Sequence, residues 1–388
     1  MITMDKITSS PAYLDPDSGE HLPLDRPLWR SRSGRPLMLT PLAGITRSDI
    51  DGTRRSLWRY AVSLPFAVED PISLGEGCTP LIRRRIDGLD TFCKLEWMMP
   101  TGSFKDRGAS VMLSMLRRQG INAVLEDSSG NGGAAIACYA TAGGMQAKVL
   151  VPATTQPAKT VQMRAYGAEI ELVEGSRQQT ADTAVRQAEH IFYASHNWHP
   201  FFLQGTKTLA YELWEDLGFQ APDNVIIPMG AGSNILGCDI GFGELQRAGE
   251  IDRLPRLFGV QPENCAPIHA SFMASVDVPV PVEIAPTIAE GTAIAQPLRL
   301  KEVIAAIRRS AGSTVAVSED EIAEGFCRLA KLGLYVEPTS ASTIPALRRM
   351  RETGAIKPED TTVLVLTGSG LKATQRTAAL MGMSIRTG

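Results

Sequence analysis

The sequence predicts an α/β fold built on parallel strands, and three observations predict it. From residue 73 onward, short β-branched runs alternate with helical stretches. Three of those runs end in glycine-rich turns that open apolar helices. Hydrophobic residues make up 44% and charged residues 21% of the 388 residues, and no apolar run approaches the ~20 residues that span a bilayer. Counted at about 150 residues per domain, such a chain holds two to three domains and a sizeable core.

The elements follow in order. The first 72 residues are turn-rich and polar, and Pro16, Pro23, Pro27, Pro36 and Pro41 interrupt any long helix. They read as an extended segment or small module. Residues 1–5 and the polar turns after them lack the charged and apolar regions of a secretory signal. Beyond residue 72, strands are expected at 147–151, 170–173, 224–227 and 362–366, where Val, Ile and Leu run together. Helices are expected over 108–119, 158–165, 180–188, 208–217, 235–246 and 319–331.

Composition removes several function classes. A net charge of −3 gives no electrostatic reason to bind nucleic acid or an anionic membrane. The six cysteines at 78, 93, 138, 238, 265 and 327 form no C-x-x-C pair, so neither a zinc site nor a disulfide framework is expected and a cytoplasmic location fits. The histidines form no H-E-x-x-H pair, no serine lies in G-x-S-x-G, and no lysine lies in a Walker A loop. Metalloprotease, serine hydrolase and P-loop chemistry lose their support.

The glycine turns lie at 127–133, 229–234 and 367–371. Any one of them reads as simple strand-to-helix turning. Three together, each carrying Ser, Thr or Asn, point to ligand binding at the carboxyl ends of parallel strands. A dinucleotide fits poorly, because the turn at Gly230 has the wrong glycine spacing and Gln261 stands where a ribose-binding acid is wanted. Lys105 lies in a small-residue turn at the mouth of a helix. Spacing leaves two readings open: a solvated charge at the start of a helix, or an amine that forms a Schiff base with a carbonyl cofactor.

The segment Pro100-Thr101-Gly102-Ser103-Phe104-Lys105-Asp106-Arg107-Gly108 resembles the pyridoxal-phosphate lysine motif of threonine synthase, in the fold type II group of pyridoxal-phosphate (PLP) enzymes. The likeness runs from about residue 73 to 371. It takes in Gly75-Glu76-Gly77-Cys78-Thr79-Pro80-Leu81, Ser128-Ser129-Gly130-Asn131, Lys207-Thr208, Gly230-Ala231-Gly232-Ser233, Glu337-Pro338-Thr339-Ser340-Ala341 and Thr367-Gly368-Ser369-Gly370-Leu371.

The resemblance implies a two-domain fold type II enzyme: a large PLP-binding domain of residues 73–105 and 199–388, a small mobile domain of 106–198, and a 1–72 extension. It implies pyridoxal 5′-phosphate as cofactor, bound as a Schiff base to Lys105, which then serves as the base at Cα. Asn131 would hydrogen-bond the cofactor's 3′-oxygen. Gly230, Ala231, Gly232, Ser233 and Asn234 would wrap its phosphate, and Thr367 would set a neutral hydroxyl beside the pyridine nitrogen. Ser103, Ser128, Ser129 and Gly130 would receive the carboxylate of a small amino-acid substrate. The activity implied is a carbon–oxygen lyase converting O-phosphohomoserine and water to L-threonine and phosphate, and group members are commonly homodimers.

Two departures stand out. Threonine synthases often carry an N-terminal zinc ribbon, and here Trp29, Gly34, Pro36 and Leu37 keep a similar frame while Asp15, Ser18, Arg30 and Ser33 occupy the apparent ligand positions. A metal-free, ribbon-derived segment is expected. The second departure puts Phe202 where the family has an arginine for the substrate phosphate, and Gly132 where it has threonine. A phenyl ring cannot pair with a dianion. Arg164, His196, His199 or Lys207 would have to compensate; otherwise the substrate is a non-phosphorylated or different hydroxy amino acid undergoing β-elimination or β-replacement.

Overall fold

A computed structural model describes residues 10–383, which divide into two compact units. The first comprises 10–78, Lys105–Tyr211 and Ile240–Asp252; the second begins at Thr79–Phe104, resumes at Glu212–Asp239 and continues from Arg253.

The first unit opens with a small antiparallel sheet of Ala12–Leu14, His21–Pro23 and Met38–Leu39. Its turns are tied by Asp15, whose carboxylate is buried and accepts hydrogen bonds from the Ser33 hydroxyl (2.9 Å) and the Asp17 N–H (3.1 Å). The Ser31 and Ser33 hydroxyls lie 2.7 Å apart. Farther along, Glu76 is buried and accepts from Trp58 Nε1 (2.9 Å), the Ser110 hydroxyl (2.6 Å), the Tyr139 hydroxyl (2.9 Å) and the Leu74 N–H (2.7 Å). One carboxylate thereby fastens the N-terminal stretch to two helices, which a buried acid requires if its lone pairs are to be satisfied.

Those helices are Lys105–Arg118 and Asn131–Ala142. Between them runs Ala123–Glu126, a central strand of a four-stranded parallel sheet ordered Glu169–Val173, Gln146–Pro152, Ala123–Glu126, Phe192–Tyr193. Helix Lys105–Arg118 also packs on Pro200–Thr206. The approach is close because both partners carry glycine: a Cβ at Gly205 would lie 2.7 Å from Gly108 Cα.

The second unit is a six-stranded sheet ordered Ser313–Val317, Arg256–Pro262, Asn224–Pro228, Thr362–Leu366, Leu89–Leu95, Leu81–Ile86. All neighbours are parallel except the last pair, a hairpin turned by Asp87 (φ +48°) and Gly88 (φ +84°). Positive φ at both central residues suits a type I′ turn. Asn224–Pro228 and Thr362–Leu366 are buried along their whole length, as parallel strands covered on both faces must be.

All four expected strands and all six expected helices are present, several longer than read from sequence: Lys105–Arg118 starts three residues before 108, and Arg177–Gln187 starts three before 180. The second extension is explained by a capping box, in which Ser176 and Gln179 bond each other's backbone N–H. Among the described residues no helix is long and apolar enough to cross a membrane, and no group of three or more His, Cys, Asp or Glu is placed to hold a metal.

Candidate active site

In the second unit, strand Asn224–Pro228 runs into Met229-Gly230-Ala231-Gly232 and then into helix Ser233–Arg247. Gly232 has φ +86°, and a Cβ there would overlap the Val303 side chain. A Cβ at Gly230 would meet Thr292 Cα at 3.1 Å. Gly232 therefore demands glycine and Gly230 is tightly enclosed, and the bare backbone they leave suits an anion at the start of a 15-residue helix. Asn234 supplies the test of fit. Its side chain is buried, and neither Oδ1 nor Nδ2 has a hydrogen-bond partner among the described residues. A buried amide left so is costly unless a polar ligand meets it, and the phosphate of pyridoxal phosphate matches that need.

Thr367 follows strand Thr362–Leu366 in the same unit and is buried. Its hydroxyl lies 3.0 Å from the Ser340 hydroxyl, which also accepts from the Gly368 N–H at 3.0 Å. The residues before Lys105 are stitched to this turn. Ser103 bridges Gly368, the Phe104 N–H donates to the Thr367 carbonyl (3.0 Å), and the Ser369 N–H donates to the Gly102 carbonyl (3.0 Å). The Ser103 hydroxyl is buried without a partner among the described residues. Glu337 donates its N–H to the Gly368 carbonyl (2.9 Å), and its carboxylate fills the space a side chain at 368 would take. Sequence reasoning matched the 337–341 motif but gave Ser340 and Glu337 no role. Ser340 bonds the Thr367 hydroxyl, and Glu337 bonds the backbone of the next residue, Gly368.

In the first unit, Lys105 opens its helix, with Nζ 5.6 Å from the centroid of the Phe202 ring. The turn Ser128-Ser129-Gly130 joins strand Ala123–Glu126 to helix Asn131–Ala142; Ser128, Ser129 and Asn131 are half-buried and Gly130 is exposed. Asp127 anchors the turn from below, accepting from the Tyr193 hydroxyl (2.8 Å) and pairing with Arg177 (2.7 Å). Burial pushes the Asp127 carboxyl up, against the pull of Arg177.

Beside the turn stands a pair that sequence reasoning mentioned only as His196. The His196 ring is nine-tenths buried, and Nδ1 lies 3.1 Å from Oε2 of Glu126, which also accepts the His196 backbone N–H at 3.1 Å. Burial and the Lys105 charge push His196 well below the usual histidine range, so it is neutral at neutral pH. Burial pushes the Glu126 carboxyl upward. No spacing rule could have paired residues 126 and 196, because parallel pairing of their neighbouring strands brings them together.

The family of pyridoxal-phosphate dependent enzymes matches residues 72–368. The threonine synthase of Methanocaldococcus jannaschii is 36% identical over 325 residues, covering 81% of this chain and 80% of that protein. That of Methanosarcina acetivorans is 34% identical over 329 residues, covering 82% and 81%. Among solved structures, threonine deaminase isoform 2 of Solanum lycopersicum aligns with a TM-score of 0.66 at 23% identity, covering 79% of this chain and 88% of that one. Maize serine racemase aligns with a TM-score of 0.66 at 22% identity, covering 78% and 92%, and both share the fold. With a family match across 72–368 and threonine synthases over four fifths of its length, the chain belongs to the threonine synthase family of fold type II enzymes and is a lyase whose cofactor is pyridoxal 5′-phosphate.

Proposed function

We propose that the enzyme breaks a carbon–oxygen bond in the side chain of a small L-amino acid. The observation that carries this reading is the Thr367 hydroxyl, fixed at 3.0 Å by Ser340. Set beside the pyridine nitrogen of the bound cofactor, a neutral hydroxyl would favour elimination and replacement over transamination. When bound, pyridoxal phosphate supplies the electron sink for the charge left at Cα. The chain's residues do the rest. Lys105 Nζ holds the cofactor and then takes the Cα proton. Asn131 would hydrogen-bond the 3′-oxygen, and Gly230, Ala231, Gly232, Ser233 and Asn234 would hold the phosphate. Ser103, Ser128, Ser129 and Gly130 bind the substrate carboxylate.

Two substrate classes fit this chemistry. O-phosphohomoserine, giving L-threonine and phosphate, is supported by the relatives that bear the name threonine synthase. A non-phosphorylated hydroxy amino acid is favoured by Phe202, which is fully buried at the position of the family's arginine. Incubating the holoenzyme with O-phosphohomoserine, L-serine and L-threonine, and assaying phosphate, threonine and α-keto acid, tests the reading. Turnover of any of these supports lyase action, and none at all would sink it.

The same reading extends to the whole chain. Residues 73–105 and 199–388 act as the large domain and 106–198 as the mobile one. The enzyme works as a cytoplasmic homodimer, in keeping with its six isolated cysteines and with its fold group. Residues 10–40 are a ribbon remnant in which hydrogen bonds stand in for metal: Asp15 and Ser33, at two of the apparent ligand positions, bond each other at 2.9 Å.

A further inference from the structure

Four basic groups were candidates to replace the missing arginine, and three of them have other placements. Lys207 is fully buried and committed, its Nζ donating to the Ser63 carbonyl (2.7 Å) and pairing with Glu244 (3.0 Å). His199 caps helix Pro200–Thr206, its Nδ1 accepting the Phe201 N–H at 3.3 Å. Arg164 is exposed on helix Pro157–Ala165.

His196 remains, and its place is specific. A Cβ built on Gly132 would lie 2.6 Å from His196 Cε1, 2.7 Å from Nδ1 and 3.0 Å from Ser128 Oγ. The imidazole thus occupies the slot that a threonine at 132 would need, beside the serine turn. Loss of a side chain at 132 leaves the space that the ring at 196 fills. The Phe202 ring lies against Gly108, where a Cβ would overlap it, with its centroid 5.7 Å from that of His196 and 5.6 Å from Lys105 Nζ.

The charged groups acting on His196 are Lys105, Asp127 and Arg177, with Glu126 on Nδ1. Arg177 is already paired with Asp127. A phosphate dianion brought here would meet buried acids and an aromatic wall, and desolvating it without a dedicated cation is costly. A neutral imidazole held at Nδ1 has Nε2 left to act as one donor or acceptor. That matches a hydroxyl.

We propose that His196, oriented by Glu126 in the slot left by Gly132, reads the substrate's side-chain hydroxyl and, with Phe202, selects an amino acid losing hydroxyl over one losing phosphate. The inference rests on the lyase reading above, and one experiment separates the two. Holoenzyme and the variants His196→Asn, His196→Gln, Gly132→Thr and His196→Asn/Gly132→Thr are assayed with L-serine, L-threonine, O-phosphoserine and O-phosphohomoserine, and the visible absorbance of bound pyridoxal phosphate is followed on adding each. Wild type should prefer a hydroxy amino acid to its phosphate ester by about tenfold or more in kcat/KM, the ratio expected from one charge-assisted contact. His196→Asn should lose about tenfold on the hydroxy substrate with the cofactor band intact, and His196→Gln should recover part of it. Gly132→Thr alone should impair cofactor binding through its clash with the ring, and the double variant should restore the band. A wild-type preference for the phosphate ester, or an unchanged preference in His196→Asn with its band intact, would overturn the inference while leaving the lyase reading standing. A chain that shows no cofactor band and consumes none of the four amino acids would instead overturn the lyase reading.

Discussion

Lys105 leaves the first turn of a buried helix with an aromatic ring 5.6 Å from its amine, and the residues just before it are tied by three backbone links to the turn that carries Thr367 and Gly368. Replacing it with alanine should abolish the borohydride-reducible bond to pyridoxal phosphate along with turnover; a labelled peptide surviving in Lys105→Ala would assign the chemistry to another lysine. Asn234 gives a graded counterpart. Its unpartnered amide is expected to meet the cofactor phosphate, and a hydrogen bond to a charged group is worth ~1.5–3 kcal/mol. Asn234→Ala should therefore weaken cofactor binding about tenfold to a hundredfold, measured by titrating the apoenzyme. Lys105, Asn131 and Thr367 could be proposed from the sequence because each lies in a contiguous motif. The His196–Glu126 pair was not. Its meaning depends on the empty Cβ position of Gly132, which only the folded chain reveals.

Among the elements, parallel strands were the easiest to read, because burial on both faces writes Asn224–Pro228 and Thr362–Leu366 as continuous apolar runs. The hairpin Leu81–Ile86 with Leu89–Leu95 escaped notice. Its outer strand carries Arg83, Arg84 and Arg85, charges that suit a sheet edge but hide the strand pattern. The N-terminal sheet lies in the segment read as a small, metal-free, ribbon-derived module, and its stability makes a pH-dependent prediction. Burial alone would raise the Asp15 carboxyl. Hydrogen bonds from the Asp17 N–H and the Ser33, Ser18 and Ser31 hydroxyls outweigh it and hold the group below its ordinary 3.8. A carboxyl lowered in the folded state stabilises fully above its unfolded value and loses that contribution as pH falls through the folded one. The unfolding-midpoint difference between wild type and Asp15→Asn should thus be constant near neutrality and shrink below about pH 4. A difference that held or grew in acid would show that these hydrogen bonds do not favour the ionised form. Gly232→Ala tests the second glycine turn: left-handed backbone costs a residue with a Cβ about 1–2 kcal/mol, and the Val303 clash adds to it, so the thermal midpoint should fall.

At the scale of the whole molecule, each unit has its own apolar core and its own buried lysine. In the first unit, Lys207 pairs with Glu244, which also accepts from the Tyr211 hydroxyl. In the second, Lys94 is fully buried in strand Leu89–Leu95, 2.7 Å from each of Glu212 and Asp216 and 2.7 Å from the Thr79 carbonyl. Neither lysine was marked as structural by its sequence context: a lone Lys in a strand such as Lys94 reads as solvent-facing, and Lys207 was read as a candidate for the site. Removing one partner from such a pair leaves a buried charge uncompensated, at a cost of ~3–5 kcal/mol. Lys94→Met is the sharper test, because it strands two carboxylates together and burial already raises that of Asp216. Hydrogen exchange should accelerate in Asn224–Pro228 and Thr362–Leu366 of the second unit, while Ala123–Glu126 and Gln146–Pro152 of the first keep their protection. Equal acceleration in all four strands would mean that the chain unfolds as one cooperative body, in which case the two cores are not separate sources of stability.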